Sequence, residues 1–353
     1  MAERARRQRL IIGTVVGLVV LAYLIWFPQQ HAPADVRLWT MAIYFGIAAM
    51  GLNLLTGYNG QVSIGHGAFF GIGAYTTAIL VSDHGWSLLA TLPVAAALAF
   101  VVGVAVGIPA LRVKGLYLAL VTLGLAVVFP DLTKKFVRGV GGTNLVRVPS
   151  ASLRPPDWMP GGLQPDQWGF YLALVISLGL LFGVWCIVRG RFGRALIAVR
   201  DHEAAATTVG VDLARTKVLA FALSALYAGV AGALSVQVTG IANAEKIGTF
   251  NLSILFLVAV VIGGTATVFG PLIGGFLVVM IQDRTTQFVA DPPFLSGFLS
   301  GKEVLSPAIF GIMLIVLMYF LPDGIVGGFR RLLHRIATRR RSTPEPLGAS
   351  VGS

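Results

Sequence analysis

The sequence is poor in cysteine, in acidic residues and in charge of any kind. One cysteine, Cys186, stands in 353 residues. It excludes an intrachain disulfide and any cysteine-based metal cluster, and its apolar setting marks it as a small buried hydrophobe rather than a reactive thiol. Asp, Glu, Lys and Arg make up only 12% of the chain, whereas 56% is hydrophobic and the mean hydropathy is +0.81. Soluble domains carry roughly twice that charge, and a chain this apolar would not stay dispersed as a monomer in water. A soluble enzyme, a disordered chain and a disulfide scaffold are therefore excluded. Catalytic motifs are absent too. No lysine precedes Ser or Thr, so there is no Walker A loop, and neither H-E-x-x-H nor G-x-S-x-G occurs. Gly71-Ile72-Gly73 opens like a dinucleotide loop but lacks the third glycine. Nothing in the chain calls for a cofactor or a metal. The acidic residues avoid the centres of the apolar runs: Asp83, Asp131, Asp283, Asp291 and Glu303 fall at predicted ends or loops. An ion-coupled carrier or an intramembrane protease needs carboxylates at mid-depth. Their absence points to a passive conduit driven from elsewhere.

What is present is glycine, 43 residues of it, and long apolar runs. A helix needs about 20 apolar residues to cross a bilayer. Ten stretches are read as crossings: roughly 10–27, 38–56, 60–81, 87–110, 115–130, 168–188, 217–240, 251–264, 269–289 and 303–321. The predicted fold is an all-α polytopic transmembrane helical bundle of about ten segments. The stretches 115–130 and 251–264 are short, so tilted, broken or re-entrant helices are expected there. The 60–81 stretch opens with polar residues and glycine, so its start is expected to be irregular and buried in protein. Continuous runs such as Ile11 to Phe27 exclude a transmembrane barrel, whose strands alternate.

The net charge of +12 is not spread over one face. It sits in three clusters: Arg4, Arg6, Arg7 and Arg9; Arg189, Arg191, Arg194, Arg200, Arg215 and Lys217; and Arg330, Arg331, Arg335, Arg339, Arg340 and Arg341. Clusters that flank membrane segments set orientation and do not make a nucleic-acid interface. Ten crossings put all three on one side, the cytoplasm, with both termini. Segment 131–167 falls outside despite Lys134, Lys135, Arg138, Arg147 and Arg154; its length and prolines suit a translocated loop. The first apolar stretch exceeds the ~7–15 residues of a signal peptide, so it is expected to remain as an anchor. The chain then divides into a basic N-terminus with its anchor helix (1–37), a membrane core (38–327) and a basic, disordered tail (328–353).

Two segments stand out from this background. Segment 189–217 is Ala-rich and is predicted to form one helix from Arg194 to Val209, with Gly210 as its C-terminal cap and Asp212 capping the next crossing. It reads either as a solvated basic loop that sets topology or as a docking helix for a cytoplasmic partner. The second runs from Gly57 to Gly71. Asn59 and Gly60 suit a turn. Gln61, Ser63 and His66 either satisfy the backbone locally or face a pathway, because polar groups in an apolar region must be paired or hydrated. Small residues recur four apart: Gly67 with Gly71, Gly103 with Gly107, Ala225 with Gly229, Gly270 with Gly274. Such pairs let membrane helices approach closely.

Four stretches in order carry a resemblance. They are Gly51-Leu52-Asn53 through Tyr58-Asn59-Gly60-Gln61 to Gly65-His66-Gly67 and Gly73-Ala74-Tyr75; Leu111-Arg112-Val113-Lys114-Gly115-Leu116-Tyr117 to Gly124, followed by Gly141-Gly142-Thr143-Asn144; Gly193-Arg194-Ala195 through Arg200-Asp201-His202-Glu203 to Gly210; and Leu321-Pro322-Asp323-Gly324-Ile325-Val326-Gly327. From roughly Leu38 to Gly327 the chain resembles the permease subunits of high-affinity branched-chain amino-acid ABC importers, the LivM type. The resemblance implies a bacterial plasma-membrane subunit that forms half of a translocation pathway with a second, LivH-type permease. It implies two ATP-binding cassette subunits that hydrolyse ATP, an extracytoplasmic solute-binding protein, surrounding membrane lipid and no enzymatic activity of its own. It also makes 189–217 the segment that seats in the ATPase, with Arg194, Arg200, Asp201, Glu203, Ala205, Ala206 and Gly210 as its coupling residues. The wider importer pattern is Glu-Ala-Ala-x-x-x-Gly; here the glycine falls one residue later, and no Ile-x-Leu-Pro follows. After Gly141-Gly142, Thr143-Asn144-Leu145 replaces the common Pro-Asn-Gly. Urea, short amides or another small solute stand as alternative cargo. An ion-coupled carrier with glycine-broken segments near 60–67 and 263–270 is the reading from another class.

Overall fold

The computed structural model describes residues 2–113, 115–137, 145–156 and 162–290, with the separate positions 308, 311–313, 315, 316, 319, 324–328 and 331. The helices are α1 (Ala2–Gln30), α2 (Pro33–Asn53), α3 (His66–His84), α4 (Leu88–Ala110), α5 (Leu116–Phe136), α6 (Pro165–Arg189), α7 (Arg191–Asp201), α8 (Glu203–Thr208), α9 (Leu213–Thr239), α10 (Phe250–Gly263) and α11 (Gly270–Ala290). A wider π-helical turn, Leu54–Tyr58, continues α2; two three-residue strands, β1 (Leu145–Arg147) and β2 (Ile241–Asn243), and a 3-10 turn at Ser150–Leu153 lie between the helices, and the separate positions from 308 on are helical. Five helical spans among the described residues are long and apolar enough to cross a membrane. Nine of the ten expected crossings coincide with helices. The tenth, 303–321, lies largely outside the described residues, as do Gly141-Gly142-Thr143-Asn144 and nearly all of the tail.

Three expectations change. The fifth crossing is not short: α5 continues through Pro130 to Phe136. Proline there removes one ladder N–H without ending the helix; the Thr133 hydroxyl donates to the Pro130 carbonyl at 2.7 Å, and Lys134 and Lys135 occupy the last turn, where cations suit the helix dipole. The expected single helix from Arg194 to Val209 is two helices, α7 and α8, because His202 adopts an extended conformation (φ −161°, ψ 102°) and caps α8 by accepting from the Ala205 N–H at 3.4 Å. Cys186 is exposed rather than buried, since it lies on the outward, apolar face of α6, which a bilayer or a partner subunit would cover. By contrast, α10 is short as expected, at 14 residues.

The core is built around α9. Its middle, from Ala228 to Leu234, is nearly all small and fully buried. A Cβ on Gly73 of α3 would strike the Gly229 carbonyl, and one on Gly232 would strike the Phe70 carbonyl. On the other side of α9, Gly103 and Gly107 of α4 stand against Ala225 and Phe221, while Gly229 meets Ala99. Without a hydrophobic drive inside lipid, such close backbone approach is what holds helices together. Gly270 and Gly274 serve the α10–α11 contact against Gly263 and Ala259. Gly67 and Gly71 face Thr249, Ser253 and Phe129 instead of a neighbouring small-residue stripe. The last turns of α1 attach at the periphery: Phe27 joins Val36, Phe170 and Leu174 in a small cluster, and the Tyr171 hydroxyl donates to the Ile25 carbonyl at 2.8 Å.

Two long-range pairings define the ends of the bundle. β1 and β2 pair antiparallel, with Leu145 opposite Asn243 and Arg147 opposite Ile241, so the connections after α5 and after α9 share one end. At the opposite end, Arg200 between α6 and α9 hydrogen-bonds the Gly57 carbonyl after α2. This is the alternation that successive crossings require.

The α3–α9 crossing yields a sharp contrast. Gly232→Leu is expected to cost about 3 kcal/mol or more, since backbone rather than a side chain must move, and to lower the yield of monodisperse protein. Gly124→Leu, at a position with open space around it, is expected to leave both yield and thermal unfolding temperature unchanged. Equal behaviour of the two variants in detergent would refute the close crossing.

Candidate functional site

Where α2 ends, the chain does not turn straight into the next helix. Residues 59–65 form an irregular loop, and most of it is buried: Ser63 is fully enclosed, and Asn59 and Gln61 are nearly so. Gly60 has φ +74°, a left-handed turn that glycine adopts freely. The loop's backbone finds its partners piecemeal. The Gln61 N–H donates to the Leu55 carbonyl and the Thr56 hydroxyl to the Gln61 carbonyl, both at 3.1 Å. The Ile64 N–H donates to the Thr122 hydroxyl of α5, also at 3.1 Å.

His66 opens α3 from a fully buried position. Its Nε2–H donates to the Ala48 carbonyl at 2.9 Å, and its Nδ1 lies 3.5 Å from the Ser224 hydroxyl of α9. Both ring nitrogens thus have partners inside the bundle. Next to it, the Gly67 N–H donates to the Ser253 hydroxyl of α10 at 2.9 Å. Of the three side chains singled out in this segment, His66 is tied into the core, Ser63 is buried with an unpartnered hydroxyl, and Gln61 borders an open cleft.

A second break faces this one. Between α10 and α11, Ala266 takes φ 54°, a strained value for a residue with a Cβ. Asn53 holds it there: its Oδ1 accepts from the Ala266 N–H at 2.9 Å and its Nδ2 donates to the Thr267 carbonyl at 2.7 Å. Asn53 sits in an otherwise apolar stretch, Gly51 to Leu55, and that isolated amide was the available sequence signal. Thr122, within Leu118 to Leu123, is a signal of the same kind.

The basic connector, α7 and α8, lies directly on the first break. Arg200 donates from Nη1 to the Gly57 carbonyl at 3.0 Å, and its aliphatic stem covers Gly60 closely enough that a Cβ there would meet Cγ at 2.8 Å. Its Nη2 also pairs with Asp201 at 2.9 Å. Glu203, at the start of α8, accepts from Lys217 of α9 at 2.5 Å, with the lysine side chain 7% exposed and the glutamate 33%. Ala206 is buried beneath α8, Ala205 is exposed, and Arg194 is exposed with a bond to the Arg189 carbonyl at 3.3 Å. Gly210 has φ +84°, with its N–H on the Thr207 carbonyl and the Val211 N–H on the Ala206 carbonyl, the paired bonds of a glycine-terminated helix end. Asp212 then caps α9, accepting from the Arg215 N–H at 3.0 Å. The structure therefore brings the two segments together: the connector's Arg200, Asp201 and Glu203 and the loop's Asn59 and Gln61 border one cleft of about 350 Å³.

A bundle of long apolar helices with glycine-bounded breaks and an ordered basic connector is a multi-pass membrane protein. The comparisons with known proteins make this specific. A family model described as branched-chain amino acid transport system, permease component, matches residues 36–321, and the chain belongs to that family. It is 30% identical over 339 residues to the high-affinity branched-chain amino acid permease LivM of Escherichia coli K12, covering 91% of this chain and 75% of the relative. It is 27% identical to a probable branched-chain amino acid permease LivH of Methanocaldococcus jannaschii, over 82% and 90% of the two chains. A third relative is the autoinducer 2 permease LsrC of Klebsiella pneumoniae, 32% identical over 55% of this chain and 54% of that one. No solved structure matches. The chain is thus a permease subunit of an ABC importer and not an enzyme. ATP hydrolysis belongs to a separate subunit, which sets aside the ion-coupled carrier.

The Glu203–Lys217 pair gives an asymmetric prediction. Glu203→Gln keeps an acceptor but removes the counter-charge of a buried ammonium, and is expected to cost about 1–3 kcal/mol. Lys217→Met leaves a carboxylate that still reaches water and is expected to cost less. Thermal unfolding of the two variants in detergent checks this; a larger loss for Lys217→Met would contradict the pair's role.

Proposed function

We propose that the chain forms half of a translocation pathway for branched-chain amino acids in the bacterial inner membrane. A second, LivH-type permease supplies the other half, two ATP-binding cassette subunits supply the energy, and an external solute-binding protein delivers the cargo. The end bearing α7 and α8 faces the cytoplasm, together with both termini, and the β1–β2 end faces outward. The charge distribution supports this orientation, because Arg189, Arg191, Arg194, Arg200 and Arg215 gather at the α7–α8 end.

The observation that carries the coupling reading is the contact of Arg200 with both Gly57 and Gly60. An ATPase can bias access only if something it touches differs in position between states. Here the connector that would seat in the ATPase is bonded directly to a break in a membrane helix. Movement of α7 is therefore delivered to the 59–65 loop without an intermediary. Arg194, Asp201, Ala205, Ala206 and Gly210 shape the connector, and Glu203 fixes it to α9. Gln61, Ser63 and His66 line or brace the loop that the connector moves. The cargo assignment rests on the relatives' printed functions and on a bundle whose described interior holds no carboxylate at mid-depth.

The test is uptake by the reconstituted importer, with its ATPase and binding protein. Wild-type proteoliposomes are expected to accumulate leucine, isoleucine and valine but neither urea nor short amides. Arg200→Ala is expected to retain the ATPase in the complex and continue hydrolysis while uptake falls about tenfold or more, the cost of roughly one charge-assisted hydrogen bond. Unchanged uptake in that variant would remove Arg200 from the coupling path.

A further inference from the structure

The cations of the connector divide into two groups. Arg200 pairs with Asp201, Arg215 with Asp212 and Lys217 with Glu203. Arg189, Arg191 and Arg194, at the corner where α6 gives way to α7, are exposed and enter none of the ion pairs among the described residues. The Arg194 side chain folds back onto α6, where its Nη1 donates to the Arg189 carbonyl at 3.3 Å. The Arg189 guanidinium lies 4.3 Å from the centre of the Trp185 ring, which stacks in turn on Phe182 with 5.7 Å between ring centres. A cation over an indole face is held in place without being neutralised.

This corner ends a continuous outward stripe. Val175, Leu178, Phe182, Trp185 and Arg189 recur three or four apart and are all exposed, so they share one face of α6. Gly179 lies on that face, and a Cβ there would meet nothing within 4 Å, which leaves a notch between Val175 and Phe182. Along the helix the stripe runs from aliphatic through aromatic to cationic over about 21 Å, at roughly 1.5 Å per residue. One leaflet of a bilayer presents the same order, from acyl chain through the interface that Trp favours to the headgroup. A neighbouring protein helix could cover the apolar part of the stripe, but the unpaired guanidiniums at its end call for an anion. The phosphate of an acidic lipid supplies one at their level, on the molecule whose chains fit the rest. We infer that the α6–α7 corner is a binding site for an anionic phospholipid, with its phosphate on Arg189 and Arg194 and an acyl chain along the notch at Gly179. The inference goes beyond the transport reading. It requires only that α6 crosses the bilayer, for which its 25 residues are long and apolar enough. The bound lipid would hold the start of the connector at the membrane surface.

The test is quenching of tryptophan fluorescence by phospholipids brominated in their acyl chains. The full chain, alone and within the assembled permease–ATPase complex, is placed in phosphatidylcholine vesicles with rising fractions of brominated phosphatidylglycerol or, separately, brominated phosphatidylcholine. The difference between wild type and Trp185→Phe isolates the Trp185 signal. Brominated phosphatidylglycerol is expected to quench it at an about fivefold lower mole fraction than brominated phosphatidylcholine, the scale set by one basic side chain at an anionic surface. The double variant Arg189→Gln, Arg194→Gln is expected to lose this preference. The double variant Arg189→Lys, Arg194→Lys, which keeps the charge, is expected to retain it, as is Arg215→Gln at the same end of the bundle. Equal quenching by the two lipids would overturn the inference. So would a preference that survives the double glutamine variant or disappears from the double lysine one, since packing rather than charge would then be at work. A Trp185 signal that neither lipid quenches within the complex would overturn it as well, because a partner subunit would then occupy the stripe.

Discussion

A membrane helix that stops inside an apolar bundle exposes backbone N–H and C=O groups that lipid cannot satisfy. That constraint governs this structure. Two breaks, at 59–65 and 264–269, lie against its core, and the surrounding helices supply the missing partners from a few side chains. Asn53 of α2 bonds both Ala266 and Thr267, Thr122 of α5 bonds Ile64, His66 of α3 bonds Ala48, and Ser253 of α10 bonds Gly67. Each bond joins different elements of the bundle, and those of Asn53 and Ser253 span most of the chain. The same polar residues that permit the breaks therefore also fix how the helices are arranged.

The glycines serve the complementary need. Around α9 the helices approach until a single Cβ at Gly73 or Gly232 would collide with a carbonyl. Close approach makes dispersion contacts numerous and leaves α9 little freedom to slide against α3 or α4. The connector lies outside these close crossings. Arg200 ties it to the first break, and Glu203 ties it to the rigid α9. Under the proposed coupling these contacts would act as a lever, with a fixed point at Lys217 and a load at Gly57. On the proposed orientation and coupling, such an arrangement would pass movement of the exposed connector to the buried loop.

Much of this was legible in the sequence. Apolar runs of helical length located nine of the described helices, and the positions of Gly210 and Asp212 fixed the end of α8 and the start of α9 through local turn and cap chemistry. What escaped was long-range. No periodicity reports that Glu203 will meet Lys217, fourteen residues away, or that Asn53 will meet residues more than two hundred positions distant. The division of the connector into α7 and α8 was hidden because Ala-rich sequence favours helix everywhere, while the extended conformation of His202 is set by the cap it makes. The length of α5 was hidden by Pro130, which the helix passes through with the loss of one ladder bond. Gly71 was legible as a packing glycine, yet its partner is the Phe129 ring, which spacing alone does not reveal.

The most direct measurement is a pair of distances between spin labels in the assembled importer. Arg191 on α7 and Val62 in the broken-helix loop are both exposed, and Glu245 marks the β1–β2 end. If the connector and the loop move as one body, trapping the ATPase in its ATP-bound state leaves the Arg191–Val62 distance unchanged and shifts the Val62–Glu245 distance. A connector that moves away from Val62 while the Val62–Glu245 distance stays fixed would contradict the account.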